Sequence, residues 1–197
     1  MSDASLFAGG LFVLGFVPYF LTIWGIGIFG GEIEEPLKPS RVTWLIWTSL
    51  DIMMLVGMHA KGAVNGLIIS ATLCAAAVTV LAFVKSGTSK WSWMDKICFV
   101  GVATGIALWA WSADPLVGIY AGAAVVVVGS LPIFIEALCS FSFEMMFSWM
   151  LFVFSGLVSV VGAPSGLEHK IQPVVFTVIA VVMCLAIIVS FFRSAFE

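Results

Sequence analysis

Charged side chains are scarce in this chain of 197 residues. Asp, Glu, Lys and Arg together make up 10% of the sequence, whereas 62% of the residues are apolar. A soluble domain has about a quarter of its residues charged, so this composition excludes an ordinary soluble domain, a disordered chain and a nucleic-acid-binding surface. The formal net charge of −3 says little by itself, because in a membrane protein the position of each charge matters more than the sum.

Residues that build catalytic and metal sites are also few. The two histidines, His59 and His169, lie in predicted loops, and no nucleophile–base spacing surrounds them. The four cysteines lie in or beside apolar runs without metal-ligand spacing, and we interpret them as packing residues: Cys74, Cys98, Cys139 and Cys184. The sequence therefore predicts a protein that is not an enzyme and has no metal or other cofactor.

Two further absences exclude particular membrane classes. Residues Met1–Ser5 contain neither Lys nor Arg, and no small-residue cleavage site closes the first apolar run, so we expect a retained helix instead of a signal peptide. The last apolar run, Pro173–Phe192, contains no lysine that could carry a retinal Schiff base. A retinal photoreceptor is excluded on that ground.

Long apolar runs dominate what is present. A helix crosses the roughly 30 Å hydrocarbon core with about 20 residues, and seven runs approach or exceed this length: Ser5–Phe29, Val42–Met58, Val64–Val84, Met94–Trp111, Pro115–Leu138, Met145–Val161 and Pro173–Phe192. The runs are continuously apolar, which favours helices over a β-barrel. The predicted fold class is all-α, a polytopic membrane protein with seven transmembrane helices.

Basic residues predict the orientation of these helices. With seven spans, one face carries six basic residues and the other carries two, and the larger set is Lys38, Arg41, Lys85, Lys90, Lys96 and Arg193. By the positive-inside rule, the face with six is cytoplasmic. We therefore expect an integral protein of a bacterial inner (plasma) membrane, with the N-terminus outside and the C-terminus in the cytoplasm.

A short motif occurs twice. Gly-x-x-Pro-x-Phe covers Gly15–Phe20 in the first run and Gly129–Phe134 in the fifth. The spacing from Ser40 to Trp47 is repeated between Ser142 and Trp149. The interpretation is a 3+1+3 arrangement of two parallel three-helix repeats, residues 1–84 and 115–197, joined by a linker helix within residues 85–114.

This arrangement resembles the SWEET and PQ-loop superfamily of small membrane transporters, and bacterial members in particular. The segments that carry the resemblance, besides the two prolines, are Lys38–Trp47, Trp91, Asp95 and Glu144–Trp149. The glutamine of the family's Pro-Gln pair is replaced by Tyr19 and by Ile133. The resemblance implies a transporter for a small polar solute such as a sugar.

Ionisable and aromatic residues inside the spans are the candidate binding residues. Asp51 lies about ten residues into the second run, and the helical spacing predicts that Trp44, Trp47 and Thr48 share its face. An acid beside two indoles suits a polar solute or an amine; the alternative is a buried acid bonded to a neighbouring helix. There are three further candidates: the phenols of Tyr19 in the first helix and Tyr120 in the fifth, and the indole of Trp149 in the sixth.

Prolines and charges near the helix ends are candidate moving parts. Pro18 and Pro132 are predicted as matched hinges, with static kinks as the alternative. Glu136, four residues after the second proline, is a candidate inner gate or a residue that reaches the membrane interface. Arg41 and Glu144 stand at equivalent repeat positions and form a candidate gate pair, or two ordinary interfacial charges.

The predicted function is transport of a small polar solute by alternating access, with or without proton coupling through Asp51. The alternative is a seven-helix receptor or accessory subunit that does not transport. A transporter is expected to have a cavity that contains Asp51 between the repeats, and a receptor a pocket that opens to one side. The expected partners are the lipid bilayer, the solute and protons, and Gly-x-x-x-Gly motifs leave a homo-oligomer open.

Overall fold

The computed structural model describes residues 2–28, 30–32, 39–85, 91, 93–139 and 143–196. Within these ranges, the side chains of Met94, Pro132, Glu136 and residues 194–196 are outside the description. Eight helices occupy the described part of the chain, and one isolated β-bridge joins Ile26 to Glu32. The helices are α1 (Asp3–Ile23), α2 (Arg41–Ala60), α3 (Gly66–Lys85), α4 (Trp93–Ser112), α5 (Pro115–Gly129), α6 (Leu131–Cys139), α7 (Phe143–Gly162) and α8 (Leu167–Phe196).

The all-α prediction is confirmed. Six helical segments are long and apolar enough to cross a membrane, as expected for an integral membrane protein, and α5 and α6 together form one of them. The predicted fourth span forms α4, which is not among these six and has Asp95 and Lys96 in its first turn. In four helices, the side chain of the residue before the first turn accepts a hydrogen bond from an N-terminal amide. These residues are Ser2 before α1, Ser40 before α2, Asn65 before α3 and Asp114 before α5.

Two predicted helix ends are wrong. Helix α1 ends at Ile23 and not near Phe29, because Gly25 adopts a φ of 75° and the chain turns there. Helix α8 begins at Leu167 and not at Pro173, so this proline lies inside the helix, where it is fully buried. Proline is tolerated inside a membrane helix where neighbouring groups satisfy the freed backbone carbonyl.

The predicted fifth span is divided at Ser130. The Ser130 amide donates to the carbonyls of Val126 and Val127, its hydroxyl donates to the Val127 carbonyl at 2.7 Å, and α6 begins at the next residue. Pro132 is therefore the second residue of α6, whereas Pro18 lies inside the continuous helix α1. The two copies of the Gly-x-x-Pro-x-Phe motif have different backbone structures.

Helix packing divides the described helices, apart from α4, into two groups, α1–α3 and α5–α8, and in each group the last helix packs against the others. Helix α3 packs against both α1 and α2, and α8 packs against both α7 and the α5–α6 segment. Between the groups, α1 packs on α7 and α2 packs on α5, while α4 contacts α5 and α2. Two of the Gly-x-x-x-Gly motifs serve the α4–α5 contact within one chain, because Gly101 faces Val125 and Gly118 faces Trp109.

The helix ends define two sides of the molecule. We call the side where α1 begins the N-terminal side; there Ser5 accepts a hydrogen bond from the Gly66 amide at 2.6 Å, and Lys61 pairs with Asp114 at 2.9 Å. The opposite side, where α1 ends, is the C-terminal side. There the ammonium group of Lys85 lies 3.2 Å from the centre of the Trp24 ring.

Candidate functional site

Asp51 is the acidic residue nearest the middle of a spanning helix. It lies at the centre of α2, is partly buried, and is near Cys74 of α3. In the part of the chain that the structure describes, no donor is hydrogen-bonded to this carboxylate. An ionised carboxylate at the middle of a membrane-spanning helix is costly unless a group pairs with it, so the position suits a residue that binds a ligand or a proton.

A hydrogen-bonded network leads along α2 towards Asp51. The Trp44 indole donates to the Tyr19 hydroxyl at 3.0 Å, and the two rings pack 5.3 Å apart. The Trp44 carbonyl accepts a hydrogen bond from Thr79, whose hydroxyl also lies 2.8 Å from that of Thr48. The structure therefore brings Tyr19, Trp44 and Thr48 together on the side of α2 that faces α1 and α3, and Asp51 lies one helical turn further on.

Trp47 lies at the other edge of the predicted stripe and contacts different neighbours from Trp44 and Thr48. Trp47 packs towards α4 and α5, where its ring lies beside Gly129 and Cys98. At about 100° per residue, Trp47 and Thr48 are separated by a wide angle on the helix, so the two edges of the predicted stripe meet different neighbours.

Tyr120 is not near Asp51 either. Its side chain lies on the outward face of α5 and is 43% exposed, so this candidate binding residue is not brought together with the others. The buried positions of α5 include Ile119, Gly122 and Ala123, which leave Tyr120 on the lipid-facing side. The sequence could not distinguish these faces because α5 is apolar all round.

Trp149 lies where the two hydrophobic cores meet. It packs edge-to-face on Phe152 at 5.3 Å and contacts residues of both cores. Phe152 in turn lies 4.8 Å from Phe12, 5.4 Å from Phe16 and 5.8 Å from Phe176. This aromatic cluster fills the space between α1, α7 and α8.

The predicted gate residues occupy the C-terminal side. The Arg41 guanidinium donates to the carbonyls of Ala82 and Phe83, at 3.2 and 3.4 Å, and so binds the last turn of α3. Glu144 lies in the first turn of α7 and is partly buried. The described contacts of Arg41 lead to α3, and the Arg41–Glu144 pair stays a prediction, as does a gate at Glu136, whose side chain is outside the description.

Sequence reasoning missed a second buried acid. Asp95 is only 5% exposed, and its carboxylate accepts a hydrogen bond from the Thr43 hydroxyl at 2.7 Å. This bond joins the first turn of α4 to the first turn of α2 on the C-terminal side. The signal in the sequence was an acid in the first turn of an apolar helix, next to a lysine that remains exposed.

The structure also contains a cavity that sequence reasoning missed. It has a volume of about 230 Å³ and lies on the N-terminal side, between the start of α1, the α2–α3 connection, the end of α7 and the start of α8. Its polar lining residues are Ser2, Ser5, Asn65, Ser159 and His169. Asp51 is not part of its wall, so this cavity is not the one expected from the sequence.

Comparison with known proteins adds no relative. Neither a protein-family model, nor a curated protein, nor a solved structure matches this chain. The resemblance to the SWEET and PQ-loop superfamily therefore rests on the motifs in the sequence, and the functional argument rests on the geometry described above.

Proposed function

We propose that this protein transports a small polar solute by alternating access between two three-helix groups. The first group is α1–α3, the second is α5–α8, and α4 links them in a 3+1+3 arrangement. The observation that carries the proposal is that the main contacts between the groups correspond when each helix of one group is matched with its counterpart in the other. In this correspondence, α1 is matched with α5–α6, α2 with α7, and α3 with α8. The contact of α1 with α7 then corresponds to the contact of α5 with α2, and the structure contains both.

The repeated motif supports the same correspondence between the two groups at the level of single residues. Gly15 of the first copy lies against the Phe152 ring of α7, and Gly129 of the second copy lies against the Trp47 ring of α2. Each motif glycine therefore accommodates an aromatic ring from the second helix of the other group. Such paired interfaces suit two groups that rock against each other about Pro18 and Pro132.

Asp51 is the proposed solute-binding residue. Its carboxylate has no hydrogen-bond donor among the described residues, and Tyr19, Trp44 and Thr48 supply polar and aromatic surface along the same face. An amine or a hydroxylated solute would satisfy the carboxylate, and a proton could do so when the solute is absent. Proton coupling through Asp51 is part of the proposal on this ground.

The proposed membrane orientation places the N-terminal side outside the cell and the C-terminal side in the cytoplasm of a bacterium. Described basic residues on the C-terminal side include Arg41, Lys85 and Lys96, whereas Lys61 and Lys170 lie on the other side. The cavity would then open outwards, while the Thr43–Asp95 bond and the Arg41 contacts hold the cytoplasmic side together.

One observation favours a second candidate, a receptor or accessory subunit without transport. The described cavity lies on one side only and does not contain Asp51. A receptor needs a pocket on one side, and a transporter needs access to the central site from both sides in turn. Exchange across a membrane separates the two functions.

The test is solute exchange in proteoliposomes that contain the purified protein. Labelled glucose and labelled ethanolamine represent a neutral polyol and an amine, each with unlabelled solute inside. We expect exchange of one of them by the wild-type protein and a loss of at least about tenfold in affinity in Asp51→Asn. Ser49→Ala is the matched control, because Ser49 is exposed on the same helix and, among the described residues, bonds only to the Leu45 carbonyl.

A pH gradient then tests coupling. If Asp51 carries a proton, the wild-type protein accumulates solute against its gradient and Asp51→Asn retains exchange without accumulation. If the wild-type protein exchanges neither solute but binds one of them, the receptor is favoured and the transport proposal fails for these solute classes. Unchanged affinity and coupling in Asp51→Asn would remove this residue from the mechanism.

A further inference from the structure

The two corresponding contacts between the helix groups are built differently at equivalent positions. The motif glycines at positions 15 and 129 are 114 residues apart, and this spacing matches Ala8 of α1 with Gly122 of α5. The tryptophans at positions 47 and 149 are 102 residues apart, and this spacing matches Met53 of α2 with Ser155 of α7. The pair Ala8 and Ser155 in the α1–α7 contact therefore corresponds to the pair Gly122 and Met53 in the α2–α5 contact.

A buried hydrogen bond holds the α1–α7 contact at these positions. The Ser155 hydroxyl is 0% exposed and donates to the Ala8 carbonyl at 2.7 Å. Nearer the N-terminal side, a Cβ atom added to Gly162 would lie 2.8 Å from the Cβ atom of Ala4, so the two backbones lie close together. Movement of α1 along α7 has to break this hydrogen bond in an apolar environment, which is costly. The α1–α7 contact therefore resists movement.

A second hydrogen bond joins the two groups beside the α1–α7 contact. The Asn65 side-chain amide, at the start of α3, donates to the side-chain carbonyl of Gln172 on α8 at 3.3 Å. Asn65 also lines the cavity whose wall includes the start of α1 and the end of α7. Gln172 is buried. This bond therefore strengthens the connection between the groups at the same end of the molecule.

Methionine side chains fill the equivalent part of the α2–α5 contact. A Cβ atom added to Gly122 would lie 2.8 Å from the Met54 sulfur and 3.4 Å from the Met53 methyl carbon. The Met53 methyl carbon also lies 3.5 Å from the Cβ position of Gly105 on α4. Both methionines are buried. A methionine side chain has three rotatable bonds and adapts to spaces of changing shape, so this contact can repack without breaking a hydrogen bond of these side chains.

The Lys61–Asp114 ion pair also joins α2 to α5, but it constrains this contact little. It lies at the end of α2 and the start of α5, and the two side chains are 32% and 47% exposed. Ion pairs between exposed side chains contribute little, because water and salt compete for the charges. The pair therefore does not offset the difference between the two contacts.

We infer that, when the two groups rock, the α1–α7 contact stays in place as a pivot and the α2–α5 contact repacks through Met53 and Met54. The inference rests on the two-group arrangement of the proposed function and adds which of the corresponding contacts moves. Helices that slide or turn against each other do so where side chains can rearrange at low cost. Because Asp51 lies on α2, this repacking moves the proposed binding residue relative to the second group.

The first test is relaxation-dispersion NMR of ¹³C-labelled methionine methyl groups in the full chain, in phosphatidylcholine nanodiscs. We expect exchange on the microsecond-to-millisecond timescale at Met53 and Met54 and none at Met183, which is equally buried but lies on α8 within the second group. Met54→Leu conserves volume and removes one rotatable bond, so exchange at Met53 should be reduced or lost. Met183→Leu is the matched control and should leave exchange at Met53 unchanged.

The second test compares the two contacts by electron-electron double resonance between nitroxide labels, in a variant whose four cysteines are replaced by alanine. Leu6→Cys with Phe154→Cys reports on α1–α7, and Ile52→Cys with Tyr120→Cys reports on α2–α5. All four positions are exposed, and the same two spacings match Leu6 with Tyr120 and Ile52 with Phe154. We expect a narrow distance distribution for α1–α7 and a broader one for α2–α5.

Several outcomes would overturn the inference. They are equal widths for the two labelled pairs, a broader distribution for α1–α7, absence of exchange at Met53 and Met54, and equal exchange at Met183. Neither measurement uses a solute. A protein that exchanges neither glucose nor ethanolamine can still show the expected difference, and a transporter can lack it, so a failure here is distinguishable from a failure of the transport proposal.

Discussion

Replacement of Gly15 by alanine tests the contact between the two helix groups. Gly15 lies on α1 where α7 crosses it, and a Cβ atom at this position would lie 2.5 and 2.7 Å from two atoms of the Phe152 ring and 3.2 Å from the Ser148 carbonyl oxygen. Phe152 is 8% exposed and packed against other aromatic rings, so it has little room to move away. The alanine methyl group must therefore overpack this interface.

Two opposing contributions set the expected change in the free energy of unfolding for Gly15→Ala. Overpacking of a core costs about 1–3 kcal/mol, whereas alanine in place of glycine favours a helix by about 1 kcal/mol. Gly10, on the lipid-facing side of α1, has no atom within 4 Å of an added Cβ, so Gly10→Ala contains only the second term. The difference in free energy of unfolding between Gly15→Ala and Gly10→Ala is therefore about 1–3 kcal/mol, with Gly15→Ala the less stable.

The assay is SDS unfolding in mixed micelles, followed by far-ultraviolet circular dichroism. Gly129→Ala should be less harmful than Gly15→Ala, because its nearest atoms, in Trp47 and Cys98, lie 3.2 and 3.3 Å from the added Cβ. Phe152→Leu should reduce the cost of Gly15→Ala by at least half in a double-mutant cycle. Equal stability of Gly15→Ala and Gly10→Ala would refute the packing argument.

Three further predictions concern other contacts. The hydrogen bond from Lys61 lowers the pKa of the exposed Asp114 carboxyl, so the stabilisation from this pair is present at neutral pH and is lost as the pH falls below the usual carboxyl range. Asp114→Asn should therefore remove this contribution from the pH dependence of the free energy of unfolding. An unaltered pH dependence in this variant would contradict the prediction. Thr43→Val removes the bond to Asp95 of α4 and should destabilise the C-terminal side, so that amide hydrogen exchange in the first turn of α4 increases. Unchanged exchange there would show that this bond does not stabilise the start of α4. In intact cells, with the other three cysteines replaced, an impermeant maleimide should label Gly166→Cys and spare the exposed thiol of Cys139; the reverse pattern would invert the proposed orientation.

Helix existence was largely predictable, and helix ends were less so. The second apolar run, Val42–Met58, became α2 with an extension of two residues or fewer at each end, and its start is fixed by Ser40, whose hydroxyl accepts a hydrogen bond from the Thr43 amide. The first run was predicted too long, since Gly25 turns the chain while apolar residues continue. Apolar character reports burial in lipid or protein, whereas a helix ends through local backbone geometry.

The binding face was predictable only in part. Trp44 and Thr48 lie on the same side of α2 as Asp51, as the helical spacing indicated, but Trp47 faces α4 and α5. Tyr120 was a candidate because it is one of two tyrosines in the chain, yet α5 turns it outwards. Periodicity gives the relative angle between two side chains of one helix, and it does not give the helices that lie on each side.

The sequence by itself determined that this is an all-α chain with helices long enough to cross a membrane. Each helix satisfies its own backbone hydrogen bonds, so a continuous apolar run is sufficient information. Only the tertiary structure decided which side chains meet. The Thr43–Asp95 bond joins residues 52 positions apart, and the cavity beside Ser159 forms where separate helices begin and end. These features depend on how helices pack against one another, which is set by contacts between distant parts of the chain.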